Sequence, residues 1–418
     1  MDFNPAEWNH EMRRKIDSVL LDSLQEELSN TSGKKWQTYQ CTLVTPMYGG
    51  GVKAGEVDKE MPIRASSIRG QLRFWWRIAC GHKYVNNLFT QETAIWGGIG
   101  DDGATASQVE IKVQTKPVVE NDLVKSNQYN GGIKYVFGSA SINGTVGWLK
   151  DGYEFTLFVH CDDAVKNDVE EALRWWSSFG GIGGRTRRGF GAVSIENLEL
   201  INHEHAAFKR ADSESPRLIF SSKTYNNASE AWKYASERLF EFRQKPGSGR
   251  NNSSGKAGRS FWPEPDTLRR LTGKDANGDH VPKHEAGNIF ARAAFGLPIT
   301  LKLVGKGEPV KTDLKPINNE RMASPLILRP YGHDTEWKAV ALLLPKWQEA
   351  LTEELELTPK PKKQKAPLQN WPVDRVARQK AARAIRPMKD GDNLRADDPE
   401  NGPDPLSAFL DFFKEGNL

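Results

Sequence analysis

The spacing of hydrophobic and polar residues changes period several times along the first half of the chain. Residues 35–48 (KWQTYQCTLVTPMY) alternate with the period of a β-strand and end at three glycines. Residues 61–81 follow the helical period, with Pro62 suited to a first turn and Gly81 suited to the position after the last turn. The helix is expected to bury one apolar stripe, made of Ile68, Leu72, Trp75, Trp76 and Ala79.

Further segments extend this pattern to residue 200. Residues 107–115 and 153–161 alternate as strands, residues 162–179 read as a helix capped by Asp162 or Asp163, and residues 190–200 read as a closing strand. Residues 133–140 and 141–150 indicate a weaker strand hairpin in between. The order β-α-β-β-α-β predicts an α+β, ferredoxin-like domain, which is also the plan of the RRM: a four-stranded antiparallel sheet covered by two helices.

A second, less regular domain of the same class is expected after a polar boundary near residue 212. A strand restarts at Arg217, a helix spans residues 227–245, and three strands follow within residues 298–305, 325–332 and 337–347. The predicted organisation is a helical N-terminal extension (1–34), two ferredoxin-like domains (35–212 and 213–357), and a basic C-terminal tail that ends in a helix (358–418).

Composition bears on nucleic-acid binding, on membrane contact and on the cellular compartment. The chain of 418 residues has 58 basic and 54 acidic residues, so nucleic-acid binding would depend on local clusters of charge. Such clusters occur in SSIRGQLRFWWR, GGRTRRGFG and the tail from Lys360 to Lys389. No apolar run or signal-peptide pattern is present, and three scattered cysteines suit a reducing compartment, so a cytoplasmic protein without membrane contact is expected.

A glycine-rich loop, Gly180–Gly191, joins the second helix to the closing strand. It holds six glycines and three arginines, Arg185, Arg187 and Arg188. A dinucleotide-binding fingerprint would follow a strand and open a helix, whereas this loop follows a helix and precedes a strand. Glycine backbone and guanidinium groups suit close approach to a phosphate chain, although a basic surface turn would have the same composition.

The first helix carries a second basic stripe. Arg69, Arg73 and Arg77 recur every four residues, beside the apolar face. Such spacing is also typical of a solvated helix face. In a β-α-β-β-α-β fold, however, the start of this helix and the glycine-rich loop lie at the same edge of the sheet, so both basic segments are expected to converge on one groove.

Three segments together resemble the RAMP superfamily of CRISPR-associated proteins: PIRASSIRGQLRFWWR, WGGIGDDGATASQVEIKV and GGIGGRTRRGFG. Residues 258–270 and 321–330 narrow the resemblance to the first-numbered subunit family of the type III-B (Cmr) effector complex. The resemblance implies a non-catalytic subunit of an RNA-guided antiviral ribonucleoprotein, which helps to bind guide RNA and single-stranded target RNA near the guide 3′ end, beside other Cmr subunits.

The same resemblance implies which residues contact RNA. Ser66 and Ser67 would contact phosphate at the positive end of the helix dipole. The full set expected to contact RNA is Arg64, Ser66, Ser67, Arg69, Gly70, Arg73, Arg77, Gly181, Gly183, Gly184, Arg185, Arg187, Arg188, Arg259, Arg269 and Arg321.

Two other functions remain open at this stage. A metal-independent endoribonuclease that processes guide RNA would need a general base, for which His82 and Lys134 are the candidates. Asp101 and Asp102 form a carboxylate pair on a glycine-flanked loop, which would be the candidates for cleavage of target RNA. A solvated turn is the simpler explanation of this pair. A scaffold protein would use its basic tail to contact an acidic partner. No cofactor and no metal site are expected.

Overall fold

The computed structural model describes residues 34–51, 55–100, 103–138, 147–210, 215–246, 249–250, 260, 262–274, 290–333, 335–347, 355–359, 366–368 and 405–414. The predicted N-terminal extension apart from Lys34, the Asp101–Asp102 pair, Arg259 and most of the tail from residue 358 lie outside these residues. "First half" denotes the described residues 34–210 below, and "second half" those from 215 onwards.

The first half begins with strand β1 (Gln37–Leu43) and helix α1 (Ala65–Ala79). The elements that follow are α2 (Leu88–Trp96), β2 (Gly98–Gly100), β3 (Gly103–Thr105), β4 (Val109–Gln114), β5 (Leu123–Lys125), α3 (Gly131–Phe137), β6 (Gly147–Leu149), β7 (Glu154–Cys161), α4 (Lys166–Phe179) and β8 (Val193–Ile195).

The principal sheet of the first half has the order β4-β7-β1-β8. Each neighbouring pair is antiparallel, with Gln37 opposite Val159 and Cys41 opposite Ile195. The strands and helices predicted at residues 35–48, 61–81, 107–115, 153–161 and 162–179 are all present.

The predicted hairpin at residues 133–150 is wrong in its first strand. Residues 131–137 form helix α3, which buries Ile133, Val136 and Phe137. These residues are spaced i, i+3 and i+4, so they share one helical face, and that face packs against a helix of the second half. A short apolar run does not distinguish a strand from a buried helix until its packing partner is known.

The second half contains β9 (Arg217–Tyr225) and α5 (Ala228–Gln244), the helix that packs on α3. The elements that follow are α6 (Glu264–Leu271), β10 (Ile299–Leu301), β11 (Thr312–Pro316), β12 (Leu326–His333), β13 (Glu336–Leu343), β14 (Leu355–Pro359), β15 (Ala366–Leu368) and α7 (Pro405–Lys414). Strands β12, β13 and β9 form one antiparallel sheet, covered by α5 and α7. Strand β10 pairs with β11 in a separate sheet.

Tryptophan and other aromatic side chains dominate the core. The predicted stripe of α1 is confirmed, since its buried residues are Ile68, Leu72, Trp75, Trp76 and Ala79. Trp75 stacks on Trp175 of α4 with ring centroids 6.0 Å apart, and this contact holds α1 against α4. Cys41 and Cys80 are buried, as expected of small apolar side chains, and burial raises the pKa of each thiol to about 12.

Candidate nucleic-acid interface

A cleft of about 380 Å³ lies where the start of α1 meets the glycine-rich loop. It is lined by Met47, Gly50, Pro62, Arg64, Ser66, Ser67, Gly70, Gln71, Ile182 and Gly183. The structure therefore brings together the start of the predicted helix and the glycine-rich loop, as the order of elements led us to expect.

The glycines of the loop permit close contact with the chain itself. Gly184 donates its N–H to the carbonyl of Tyr48, 2.7 Å away, so the loop pairs with the segment that follows β1. Gly183 has φ of +81°, and a Cβ there would lie 2.6 Å from Cγ of Met47. A Cβ at Gly181 would also clash, since it would lie 2.8 Å from the carbonyl oxygen of Gly191. These positions require glycine for internal packing, whether or not a ligand approaches.

The first turn of α1 borders the cleft without a side-chain cap. Arg64 occupies the N-cap position in an extended conformation, and the first turn contains no acidic residue. Ser66 and Ser67 are exposed there. Asp58 accepts the N–H of Met61 and a hydrogen bond from the Arg64 guanidinium at 2.8 Å, and these contacts lower its pKa. Arg64 thus reaches the cleft with its charge shared with one carboxylate.

The arginine stripe of α1 divides into paired and unpaired residues. Nε of Arg73 donates to the buried carboxylate of Glu92 on α2 at 2.8 Å, and Arg77 donates to the other oxygen of that carboxylate. Arg69 has no hydrogen bond or ion pair within the described residues, and its Nε is buried. Gly70, next to Arg69, is exposed, and no atom lies within 4 Å of the position that a Cβ would take.

The arginines of the glycine-rich loop point into the molecule. Arg187 donates to the carbonyl of Ser324, and Arg188 donates to the carbonyls of Leu326 and Phe295, each 2.8 Å away. Arg185 donates to the carbonyl of Val136 at 3.1 Å.

Burial lowers the pKa of all three loop arginines, that of Arg188 to about 9. The sequence suggested that these cations would face a ligand. The structure shows instead that they attach the loop to helix α3 and to the second half.

Of the arginines predicted to contact RNA, two more are described, Arg269 and Arg321, and they differ from each other. Arg269 is nearly buried and donates to Asp266 at 2.8 Å and to both oxygens of Glu308. Arg321 is exposed and has no hydrogen bond or ion pair within the described residues. Its charge contributes to the lowered pKa of Arg185, after the effect of burial, so it lies near the glycine-rich loop.

The acid-base candidates lie away from the cleft. His82 follows the C-terminal end of α1, whereas the cleft is at its first turn. Lys134 is part of α3. The residues that line the cleft include no histidine, cysteine, lysine or carboxylate. Within the described ranges there is no group of three or more histidine, cysteine, aspartate or glutamate side chains that would hold a metal ion.

No helix among the described residues is long and apolar enough to cross a membrane. Two features of the structure were missed by the sequence analysis. The first is α2, which supplies Glu92 to the arginine stripe. The second is Phe158, an aromatic residue at a position of β7 where the alternation calls for a polar one. The break in the alternation of apolar and polar residues could have been recognised from the sequence.

Comparison with known proteins finds similar solved structures and one family model that matches part of the chain. Solved structures that are similar to this chain include apo Cmr1 from Pyrococcus furiosus, with 14% identity over 74% of this chain and 88% of that chain, at a TM-score of 0.40. Two others are chains of the type III-B Cmr-β complex bound to cognate target RNA. One shows 15% identity over 44% of this chain and 66% of that chain, at a TM-score of 0.28. The other, which also holds AMPPnP in the presence of ssDNA, shows 11% identity over 91% of this chain and 99% of that chain, at a TM-score of 0.36.

All three TM-scores lie below 0.5, so the resemblance to a known family rests on the sequence match alone. No curated protein matches the chain significantly. Residues 40–194 match the model of the RAMP superfamily, and this range contains α1, α4 and the glycine-rich loop. Over residues 40–194 the resemblance to the RAMP superfamily is confirmed.

Proposed function

We propose that the chain is a non-catalytic RNA-binding subunit of a type III-B CRISPR (Cmr) effector complex. The observation that carries the proposal is the cleft between the first turn of α1 and the glycine-rich loop, within the range that matches the RAMP superfamily. The RNA is a guide RNA or a single-stranded target RNA, held near the guide 3′ end, and the neighbours are other Cmr subunits.

The chemistry of the cleft suits a phosphate. The uncapped first turn of a 15-residue helix presents backbone N–H groups and the positive end of the helix dipole. The exposed hydroxyl groups of Ser66 and Ser67 add donors. Gly70 leaves open space on the helix surface, so a sugar-phosphate chain can approach the backbone closely.

Arg69 supplies the charge in this proposal. An unpaired guanidinium with a buried Nε costs free energy unless it gains an acceptor, and a phosphate oxygen is a suitable one. Arg64 and Arg321 are the other cations that we assign to RNA. The arginines with internal partners, namely Arg73, Arg77, Arg185, Arg187, Arg188 and Arg269, hold the structure around the cleft.

The division of the chain into two ferredoxin-like domains is part of the same proposal. The sheet order β4-β7-β1-β8 with helices α1 and α4 supports a ferredoxin-like domain within residues 35–212. The order β12-β13-β9, covered by α5 and α7, supports a second and less complete copy within the second half. No residue lining the cleft is suited to general acid-base catalysis near neutral pH, so the endoribonuclease alternative has no specific support.

The test compares two arginines of one helix. Arg69→Ala is expected to weaken the binding of single-stranded RNA about 5- to 100-fold, by removing a charge-assisted contact to phosphate. It should also reduce the salt slope of binding by about 0.7. Arg73→Ala is the matched control: it should lower stability through loss of the Glu92 pair and change RNA affinity less than about twofold. Fluorescence anisotropy across a salt series and thermal melting measure both effects.

A native pull-down of the tagged full chain tests the complex. Sequencing of the bound RNA should recover repeat-derived guide RNA, together with other RAMP proteins. A chain that is recovered alone and binds no single-stranded RNA at low salt would contradict the proposal. Equal loss of affinity in Arg69→Ala and Arg73→Ala would refute the assignment of phosphate contact to Arg69.

A further inference from the structure

The principal sheet of the first half has a second face, turned away from α1 and α4. Along β7, Phe155, Leu157 and Val159 are buried, while the intervening residues are partly exposed. Because side chains alternate across a strand, these intervening residues share the opposite face. The strand register places Thr38, Phe158 and Lys112 in one row across β1, β7 and β4.

Phe158 is an aromatic ring without an aromatic partner. It is partly exposed, belongs to none of the hydrophobic clusters and makes no ring contact within the described residues. Its neighbours in the row are a threonine and a lysine, so burial of the ring does not explain its place in the strand. A large apolar side chain on an otherwise polar face is a feature that requires an explanation.

A second ring lies in the adjacent row of the same face. Trp36 packs against His160 of β7, with ring centroids 5.7 Å apart, and the ammonium of Lys112 lies 4.2 Å from the centroid of the Trp36 ring. Lys112 therefore stands between the two aromatic residues and can neutralise a charge that passes between them.

Polar side chains complete the face. The next row holds Gln40, Thr156 and Gln114, and the hydroxyl of Thr156 lies 3.1 Å from Oε1 of Gln40. At the opposite edge, Lys34 pairs with Glu110, and Lys35 is exposed. The amides and hydroxyls can meet base edges, and the lysines can meet phosphates.

We propose that this face binds a single-stranded segment of RNA, with unpaired bases stacked on Phe158 and Trp36. The proposal rests on the RNA-binding function proposed above, but the face shares no residue with the cleft at α1. Lys112 contacts the phosphate between the two stacked bases. The row of Gln40, Thr156 and Gln114 donates to or accepts from base edges.

The pattern favours RNA over a protein partner. Two rings separated by a cation, among amides and hydroxyls, match the alternation of base and phosphate along a strand. A protein interface would instead have a contiguous apolar centre. The acidic residues Glu154 and Glu196 line a cleft of about 810 Å³ farther along β1, towards the β12–β13 hairpin. Their charge confines the phosphate path to the rows that contain Lys112 and Phe158.

The experiment measures binding of a short labelled oligouridylate to the full chain by anisotropy across a salt series. Phe158→Ala should weaken binding about 5- to 100-fold, by loss of base stacking, and leave the salt slope unchanged. Phe158→Trp keeps a ring and should restore the affinity. Lys112→Gln should lower the salt slope by about 0.7. Phe89→Ala removes an exposed ring from α2 and should have no effect.

Photocrosslinking of RNA that contains 4-thiouridine provides a direct readout. Crosslinks at Trp36 or within residues 154–161 support the proposal. Unchanged affinity in Phe158→Ala overturns it, and so does a loss of affinity that Phe158→Trp does not restore. If Arg69→Ala weakens binding while Phe158→Ala does not, the cleft function stands and this proposal alone fails. If the wild-type chain binds no RNA, both fail.

Discussion

The arginines of this chain have three different roles, although their side chains are chemically identical. Among the described residues Arg69 is unpaired, Arg73 is held by the carboxylate of Glu92, and Arg188 is desolvated and donates to backbone carbonyls. The free energy of a guanidinium depends on the acceptors within hydrogen-bond distance, and neighbours in sequence do not specify these. A count of basic residues therefore overstates the charge that is available to a ligand.

The residue-scale prediction concerns Glu92. Glu92→Gln removes the charge that Arg73 and Arg77 share, in a side chain that is only 3% exposed. The free energy of unfolding should fall by about 1.5–3 kcal/mol, the usual contribution of a hydrogen bond to a charged group. Urea denaturation measures the change. Glu110→Gln, in a surface pair whose carboxylate side chain is 44% exposed, is the control and should change stability by less than about 1 kcal/mol. Equal effects from both substitutions would show that burial of the carboxylate is not the cause.

Two glycines, one in the glycine-rich loop and one in α1, have different structural roles. Gly191 has φ of +59°, and a Cβ there would lie 2.0 Å from the carbonyl oxygen of Ile182, so the glycine-rich loop closes only with glycine at this position. Gly70 lies within α1 and faces open space. Helix propensity alone would favour alanine at position 70.

The element-scale prediction compares these two positions. Gly70→Ala should raise the free energy of unfolding by about 0.5–1 kcal/mol and at the same time weaken RNA binding, because the new methyl group occupies the surface where the phosphate chain approaches. Gly191→Ala should lower stability by at least about 1–3 kcal/mol, since strain in the left-handed region adds to the clash. Thermal melting and anisotropy test both variants. A stabilised Gly70→Ala variant with unchanged affinity would remove Gly70 from the proposed interface.

At the scale of the whole molecule, buried arginines cross between the two halves in both directions. Arg187 and Arg188 reach from the glycine-rich loop to carbonyls of the second half. Arg329 of β12 reaches back to the carbonyls of Gly180, at 2.6 Å, and of Val193, at 3.2 Å. Burial lowers the pKa of Arg329 to about 9. Arg188 and Arg329 each donate to at least two carbonyls, and the acceptors of Arg329 include Gly180 at the C-terminal end of α4, where the helix dipole favours a cation.

The whole-molecule prediction tests this connection. Arg329→Ala should lower the free energy of unfolding by about 2–5 kcal/mol, since it leaves a cavity in the core and buried carbonyls without a donor. Limited proteolysis of the variant should then be faster than that of the wild type. Arg321→Ala, an exposed arginine on the same half, is the control and should leave stability within about 0.5 kcal/mol of wild type. A melting temperature for Arg329→Ala equal to that of the wild type would contradict the connection.

Several elements were predictable because their signals are local. The stripe of α1 and the alternation of β7 follow from periods of 3.6 and 2 residues, which are readable in any short window. Helix α3 was not predictable in this way, because its short apolar run fits either a strand or a helix, and the face that it packs on α5 is visible only in the folded chain. Likewise, the pairing of β10 with β11 depends on where separate segments of the chain meet.

The sequence by itself determined the buried stripe of α1, the strand alternation, the position of the glycine-rich loop and its resemblance to the RAMP superfamily, because each is encoded in neighbouring residues. Only the tertiary structure decided which charges are free. The partners Arg73–Glu92 and Arg188–Phe295 are 19 and 107 residues apart in the chain, and hydrogen bonds depend on distance in space. Among its described residues, the folded chain thus leaves the Arg69 guanidinium without an acceptor and the Phe158 ring without an aromatic partner, whereas each loop arginine donates to a backbone carbonyl.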